Sequence, residues 1–335
     1  MPLVSIIVPC YNEQATIRLL LEAIYRQTVP CHDMEVVIAD GRSTDRTREE
    51  VAAFQQAHPD LEIRLVENPR RVIPAALNCA LAAARGQYIV RLDAHSVPAL
   101  DYVERCIEHL QAERGENVGG VWEIRPRGEG LVRRAIAVAA AHPMGVGDAR
   151  YRYTNEPGYV DTVPFGSFRR ELFDRLGAFD EDLLSNEDYE FNARLRRAGG
   201  RVYLDPRIRS TYFARPDLAA LSKQYWRYGY WKLRMLRRYP QTLRWRQGLP
   251  PLFVLSLLVA LTLALFWPPA RLLLALEVLL YAAALLAGSL PVALRRKDPA
   301  LVLAVPLAIM TMHLSWGAGF LWSLLTLRPM TASKS

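Results

Sequence analysis

In Gln87-Tyr88-Ile89-Val90-Arg91-Leu92-Asp93-Ala94-His95, an apolar run ends on an acid and, two residues on, a histidine. The first six residues predict a buried strand. An α/β enzyme holds a cation against a phosphate with an acid at the carboxyl end of such a strand, followed two residues later by a second metal-capable side chain. Asp-x-Asp is the usual form of this arrangement, and here His95 takes the third place.

Working outward, strand and helix patterns alternate. Val4–Pro9, Met34–Asp40 and Leu61–Val66 are short β-rich runs like Gln87–Leu92. Helical patterns separate them at about Gln14–Gln27, Asp45–Ala57 and Ile73–Ala84. Crossovers of this length predict a parallel, right-handedly wound sheet with ligands at the carboxyl ends of its strands. Further on, Val118–Ile124 and Tyr159–Pro164 read as strands, and Glu187–Ala198 as an amphipathic helix ended by Gly199-Gly200. Residues 127–158 give no clear pattern; within them Leu131–Ala141 suits either a core helix or a lipid-facing one.

The chain has 335 residues, and its 51% hydrophobic content is high for a soluble protein. The excess lies beyond Gly248. Three apolar stretches, about 250–267, 272–294 and 300–325, are expected to cross a membrane, the third kinked at Pro306. The first is near the minimum length and also suits an interfacial segment. Ahead of them, 216–249 mixes basic residues (Lys223, Arg227, Lys232, Arg234 and others) with Trp226, Trp231 and Trp245. That mixture suits the headgroups of an anionic inner leaflet. Nucleic acid attracts the same residue types, but the adjoining spans favour a membrane, so no nucleic-acid partner is expected. Arg295-Arg296-Lys297 falls on the same side as the basic segment if all three stretches cross, and the positive-inside rule makes that side cytoplasmic. With no secretory signal at Pro2–Pro9, the expected organisation is a cytoplasmic catalytic domain over 1–215, an interface segment, three spans and a tail over 326–335 lying outside. The four cysteines lack metal or disulfide spacing and read as buried thiols in a reducing compartment.

Each strand end carries polar residues. The first leads into Cys10-Tyr11-Asn12-Glu13, the second into Asp40-Gly41-Arg42-Ser43-Thr44-Asp45. Gly41 permits a tight turn, and Ser43 or Thr44 suits the cap of the next helix. Asp40 can accept from a nucleobase N–H or a ribose hydroxyl. No G-x-G-x-x-G follows the first strand, which argues against a dinucleotide cofactor. Asn186-Glu187-Asp188 opens a helix. Glu187 is explained by a favourable first-turn charge alone, whereas Asp188 is a candidate base for a transfer to a hydroxyl.

The runs Val8–Glu13 and Asp40–Asp45, the Asp93 motif, Gly166-Ser167-Phe168-Arg169-Arg170, and Gly177-Ala178-Phe179-Asp180-Glu181 with Asn186-Glu187-Asp188 resemble the family 2 glycosyltransferases in order and spacing, over roughly Val4 to Tyr230. The His95 variant, the run Asn186–Asn192 and Gln224-Tyr225-Trp226-Arg227-Tyr228-Gly229 look like the succinoglycan-type bacterial exopolysaccharide glucosyltransferases. The resemblance implies a GT-A fold, a Rossmann-like nucleotide-diphospho-sugar transferase domain, and inverting transfer from a UDP-sugar to a polyprenyl-diphosphate-linked oligosaccharide. It assigns Pro9, Tyr11, Glu13 and Asp40 to the uridine, Asp93 and His95 to a divalent cation (Mn²⁺ or Mg²⁺) on the diphosphate, and Asp188 to the catalytic base. Gln224 and Arg227 match two positions of a Q-x-x-R-W motif that meets donor and acceptor, with Glu187 beside the acceptor; Tyr228 replaces its tryptophan. A neutral imidazole at 95 adds a ligand without a second negative charge and points toward Mn²⁺. The alternative is that it bonds only a phosphate or a metal-bound water. Two other functions compete: sugar transfer directly onto a polyprenyl phosphate, and an inactive membrane-tethered nucleotide-sugar binder.

Overall fold

The computed structural model describes residues 1–242 and 244–326. The tail expected from Arg328 onward therefore lies outside the described residues. The chain forms two compact units, Met1–Arg125 with Ala149–Phe213, and Pro126–Asp148 with Ala214–Ser335. Pro126–Asp148 thus interrupts the first unit in sequence.

Among the described residues, nine strands and twelve α-helices follow in the order β1 (Val4–Cys10), α1 (Ile17–Tyr25), β2 (Met34–Asp40), α2 (Thr47–Ala57), β3 (Glu62–Glu67), α3 (Ile73–Ala83), β4 (Tyr88–Arg91), β5 (Val97–Pro98), α4 (Tyr102–Gln111), β6 (Asn117–Arg125), α5 (Leu131–Ala140), α6 (Pro143–Val146), β7 (Gly158–Tyr159), β8 (Ser167–Arg169), α7 (Glu171–Leu176), α8 (Glu187–Arg197), β9 (Val202–Phe213), α9 (Leu218–Arg238), α10 (Trp245–Ala264), α11 (Pro268–Arg296) and α12 (Leu301–Leu325). The sheet order is β3-β2-β1-β4-β8-β6-β9-β5, with β7 on β9. Parallel pairing holds for β3, β2, β1 and β4, as the crossovers predict. Beyond β4 the sheet is mixed: β8 is antiparallel to both β4 and β6, β6 and β9 pair in parallel, and β5 is antiparallel to β9. The expected strand Tyr159–Pro164 is reduced to Gly158–Tyr159, and the chain bends at Asp161 and again at Pro164 and Phe165. The long strand β9 has no counterpart in the sequence reading. Its charges at every second or third position hide the alternation.

Alternation along β1 and β2 explains the layering. Ile6, Val8, Val36 and Ile38 face one side, packed against Ile17, Leu20 and Ile24 of α1 and Phe54 of α2. Ile7, Val37 and Ala39 face the other, against Leu77 and Ala80 of α3 and Phe191 and Leu195 of α8. Both faces are covered, which is why these strands read as continuous apolar runs. At the register shift between β6 and β9, Gly120 passes so close to Ile208 that a Cβ would lie 1.7 Å from its carbonyl oxygen. Only glycine fits there.

In the second unit, α10, α11 and α12 are, among the described residues, the helices long and apolar enough to cross a membrane. The first begins five residues before the expected span, and α12 continues through Pro306. The stretch without a clear pattern supplies α5, whose residues Ala135 to Ala140 are buried. It also supplies Arg134, 3.0 Å from Asp298. The aromatic and basic segment forms α9, which runs along α12 with the Ser222 and Ser315 hydroxyls 2.8 Å apart. Glycines allow that approach: a Cβ on Gly229 would lie 2.0 Å from the Trp316 carbonyl oxygen, and one on Gly319 2.3 Å from that of Trp226. Lys232, counted above among headgroup-facing cations, is instead buried.

A buried acid ties α4 to β9. Asp205 Oδ2 lies 2.6 Å from His109 Nε2 and 2.7 Å from Arg207 Nη2. Burial raises the Asp205 carboxyl, but the bonds from Arg207 and His109 outweigh it and bring the pKa down to about 2. A carboxylate so depressed stabilises the fold above its ordinary value and loses that contribution as pH falls through about 2. Asp205→Asn is expected to cost about 2–3 kcal/mol of stability at neutral pH. Urea unfolding should show the gap from the parent protein closing as pH drops from about 4 toward about 2.

Candidate active site

The carboxyl ends of β1 and β2 are held level by their register, in which Cys10 pairs with Asp40. The loops that follow are stitched together. The Asn12 N–H donates to Ser43 Oγ (2.9 Å), the Thr44 N–H to Asn12 Oδ1 (2.8 Å), and the Glu13 N–H to Thr47 Oγ1 (2.8 Å). Ser43 and Thr44 therefore join loops instead of capping α2. The N-cap is Arg46, without a side-chain cap bond, and the Thr47 N–H is met by Asp45 at 3.1 Å. Gly41 is also not the left-handed residue of its turn; Arg42 is, at φ 59°. The absent side chain at Gly41 makes room for Tyr11, whose ring would lie 3.2 Å from a Cβ there.

Asp40 is fully buried and internally partnered. It accepts from the Ser43 N–H and Oγ, and from Arg48 Nε at 2.6 Å. In this arrangement its carboxylate organises the loop that follows β2. Tyr11 is exposed and Pro9 and Glu13 half-buried at the same edge. Cys10, close by, is no nucleophile: burial, then Glu13, Asp40 and Asp45, push its thiol far up. Cys106 is pushed up by burial to about 12.

At the end of β4, Asp93 is about one-quarter exposed and His95 nearly half. The Asp93 carbonyl accepts from the Ser96 N–H and hydroxyl, closing the turn between them and β5. His95 Nδ1 stands 3.1 Å from Glu13 Oε1. Burial raises the Glu13 carboxyl, but bonds from His95 and Thr16 more than offset this and leave it lowered. A carboxylate on one ring nitrogen is how metal-binding histidines are usually oriented. Among the described residues, no three His, Cys, Asp or Glu side chains gather as a complete metal cage. Asp93 and His95 do carry donor types that suit a divalent cation beside a phosphate.

The third component is the start of α8. Asn186, left-handed at φ 67°, turns the chain into the helix. Glu187, which the sequence explains as a first-turn charge, is buried with Oε1 3.0 Å from Arg91 Nη2. The same nitrogen lies 3.3 Å from Asp93 Oδ1. Burial works against the charge on Arg91, but Asp93, Glu187 and Asp188 outweigh it and hold the guanidinium pKa above its ordinary value. For Glu187, burial and the neighbouring Asp188 and Asp93 raise the carboxyl, with Arg91 opposing. Asp188 is half-buried, and its Oδ1 accepts from the Tyr189 N–H at 2.7 Å.

The remaining motifs support this edge. Asn78 on α3 bonds the Phe179 backbone at both ends and donates to Glu181 Oε1 at 2.8 Å, pinning the Gly177–Glu181 loop. Asn192 accepts from Asn117 at 2.6 Å and donates to Thr162, tying α8 to the sheet. The Arg91 N–H donates to the Gly166 carbonyl at 3.0 Å. One face of β6 and β9 carries a group with no sequence signal: Trp122 stacked on Tyr212 with centroids 4.2 Å apart, and the Arg152 guanidinium 4.8 Å from the Trp122 ring. Gln224 and Arg227 lie on α9 in the second unit, where Gln224 donates to the Tyr228 hydroxyl at 3.0 Å. The structure thus groups Pro9, Tyr11, Glu13, Asp40, Asp93, His95, Glu187 and Asp188 in the first unit.

An α/β sheet with nucleotide-type loops and two acidic motifs at its carboxyl edge is a sugar-nucleotide transferase domain of the GT-A type. Comparison with known proteins agrees. The pattern of "Glycosyl transferase family 2" matches residues 5–177. The chain is 32% identical over 329 residues to "Succinoglycan biosynthesis protein ExoA" of Rhizobium meliloti, covering 98% of this chain and 96% of that one. It is 27% identical over 326 residues to "Dolichyl N-acetyl-alpha-D-glucosaminyl phosphate 3-beta-D-2,3-diacetamido-2,3-dideoxy-beta-D-glucuronosyltransferase" of Methanococcus voltae, with 96% of each covered. Among solved structures, a mannosyltransferase from Pyrobaculum calidifontis in complex with GDP-Man and Mn²⁺ superposes with a TM-score of 0.63 at 26% identity, covering 96% of this chain and 87% of that one. The chain belongs to glycosyltransferase family 2 and is an enzyme of the GT-A fold.

Ser43→Ala removes both a donor to Asp40 and an acceptor for Asn12. It is expected to destabilise the protein by about 1–2 kcal/mol in chemical denaturation. Amide exchange over 11–16 should accelerate while that of α1 stays unchanged.

Proposed function

We propose that this enzyme transfers a sugar, glucose in the first instance, from a UDP-sugar to a hydroxyl of a polyprenyl-diphosphate-linked oligosaccharide, with inversion, in exopolysaccharide synthesis. The observation that carries the reading is the pairing of two acidic motifs at one sheet edge, Asp93 with His95 on one side and Asp188 at the start of α8 on the other. The Rhizobium meliloti relative is named for succinoglycan biosynthesis, and the Methanococcus voltae one for a lipid-phosphate-linked sugar acceptor. The Pyrobaculum calidifontis structure holds a nucleotide sugar and Mn²⁺. The apolar helices support a membrane site, which we assign to the cytoplasmic face of a bacterial-type inner membrane. A lipid acceptor held in that same bilayer agrees with this assignment.

In this reading Pro9, Tyr11 and Glu13 flank the nucleotide on loops fixed by Asp40 and Ser43. Asp93 and His95 hold a divalent cation, which when bound offsets the charge developing on the leaving diphosphate. Asp188 takes the proton from the acceptor hydroxyl. The freed oxygen forms a bond to the anomeric carbon as the carbon–oxygen bond to the diphosphate breaks, and the nucleoside diphosphate leaves with that electron pair. A carboxylate suits this role because the anomeric carbon passes through an oxocarbenium-like state. Asp188 is better suited than Glu187, which is buried against Arg91. Gln224 and Arg227 are assigned to donor and acceptor contacts, and 1–215 to catalysis.

Asp188→Asn should lower sugar incorporation by on the order of 10²–10⁴-fold, measured with UDP release from the purified enzyme, Mn²⁺ and a membrane lipid extract. Full retention would favour transfer onto a lipid phosphate, which is already anionic and needs no base. No transfer from UDP-sugars or GDP-Man by the parent enzyme would favour the inactive binder. His95→Ala should raise the Mn²⁺ concentration for half-maximal rate sharply, and Glu13→Gln by about 10-fold or more. An unchanged Mn²⁺ titration in His95→Ala would remove the ligand role.

A further inference from the structure

Arg91 is the sole charge in the run Tyr88–Leu92, and its side chain is only 6% exposed. The side chain is buried against the start of α8, so its charge has to be met mostly inside the protein. Two carboxylates from motifs 94 residues apart meet it at one nitrogen. Nη2 is 3.3 Å from Asp93 Oδ1 and 3.0 Å from Glu187 Oε1, while Nε and Nη1 are buried without a protein acceptor. Arg194, one-quarter exposed, differs: it spends its guanidinium on Glu190 and the carbonyls of Leu176, Gly177 and Ala178.

We propose that Arg91 is a positioning residue for sugar transfer, fixing the distance between the donor-side loop of Asp93 and the acceptor-side start of α8. The inference rests on the roles proposed above for Asp93 and Asp188. Without a cation between them, Asp93 and Glu187 repel each other through poorly solvated space, and the two motifs separate. With Arg91 in place their spacing is set by two bond lengths. Asp188 follows Glu187 directly on the first turn of α8, so any shift of Glu187 moves the base. The left-handed Asn186 just before it gives the helix start a single defined entry. The Arg91 backbone bond to Gly166 fixes the strand from which the side chain reaches. Lysine, a point charge on a shorter, more flexible stem, cannot reproduce this bridge.

The test uses the full chain in detergent or nanodiscs, with kcat, donor KM and thermal unfolding measured for Arg91→Lys, Arg91→Met and Arg91→Met/Glu187→Gln. Arg91→Lys is expected to lose on the order of 10²-fold in kcat while donor KM moves less than about threefold. Arg91→Met should lose stability as well, because it leaves Glu187 buried and unpaired. The double variant removes both buried charges and is expected to recover the parent's unfolding temperature without recovering kcat. Parental kcat in Arg91→Lys, or in the refolded double variant, would reduce Arg91 to a structural charge and overturn the proposal. Should Arg91→Lys fail to fold, the double variant decides alone. Loss of transfer in the parent enzyme would instead count against the proposed function.

Discussion

Parallel pairing of β1, β2 and β4 obliges three strands to end at one edge, and the catalytic half of the enzyme follows from that. Each strand delivers its polar residues to the same line: Tyr11 to Glu13, Asp40 to Ser43, and Asp93 to His95. The opposite edge shows the contrast. There Glu35 is buried too, but Ser5, Arg64 and the Arg85 N–H satisfy it from within. Its burial raises the carboxyl less than these partners lower it. Charge at the amino-terminal edge is closed off, whereas at the carboxyl edge His95 and Tyr11 stay open to solvent.

The parallel half of the fold was legible because its strands are buried on both faces and read as plain apolar runs. Met34–Asp40 was placed to the residue and Glu187–Arg197 within one. The mixed half was not. Residues of β9 alternate between core and a charged surface, and β8 is three residues long, so neither rises above its surroundings. The acids of the site were visible as residue types at strand and helix ends. Their internal partners were not, since Ser43 and Arg48 for Asp40, or Glu13 for His95, depend on how two loops meet. The sequence does carry one signal for them: a lone arginine inside a buried strand, Arg91, demands a carboxylate partner, and Glu187 supplies it.

Residues 126–148 and the region after Phe213 are a second example of tertiary context overriding sequence order. The helix α5 interrupts the catalytic chain and packs with the apolar helices, its Arg134 meeting Asp298 far along the chain. Its small residues Ala135, Ala137, Ala139 and Ala140 lie buried against neighbours, which accounts for the ambiguous pattern of this stretch. The basic and aromatic α9 is likewise a packed helix with one polar side.

The contact of α9 with α12 has a mechanical meaning. Where glycines bring two helix backbones together, as Gly229 and Gly319 do here, neither helix can rotate or slide without the other. A membrane-crossing helix adjusts its tilt to the thickness of the bilayer. Gln224 and Arg227 ride on the partner helix, so a change in the tilt of α12 carries them with it.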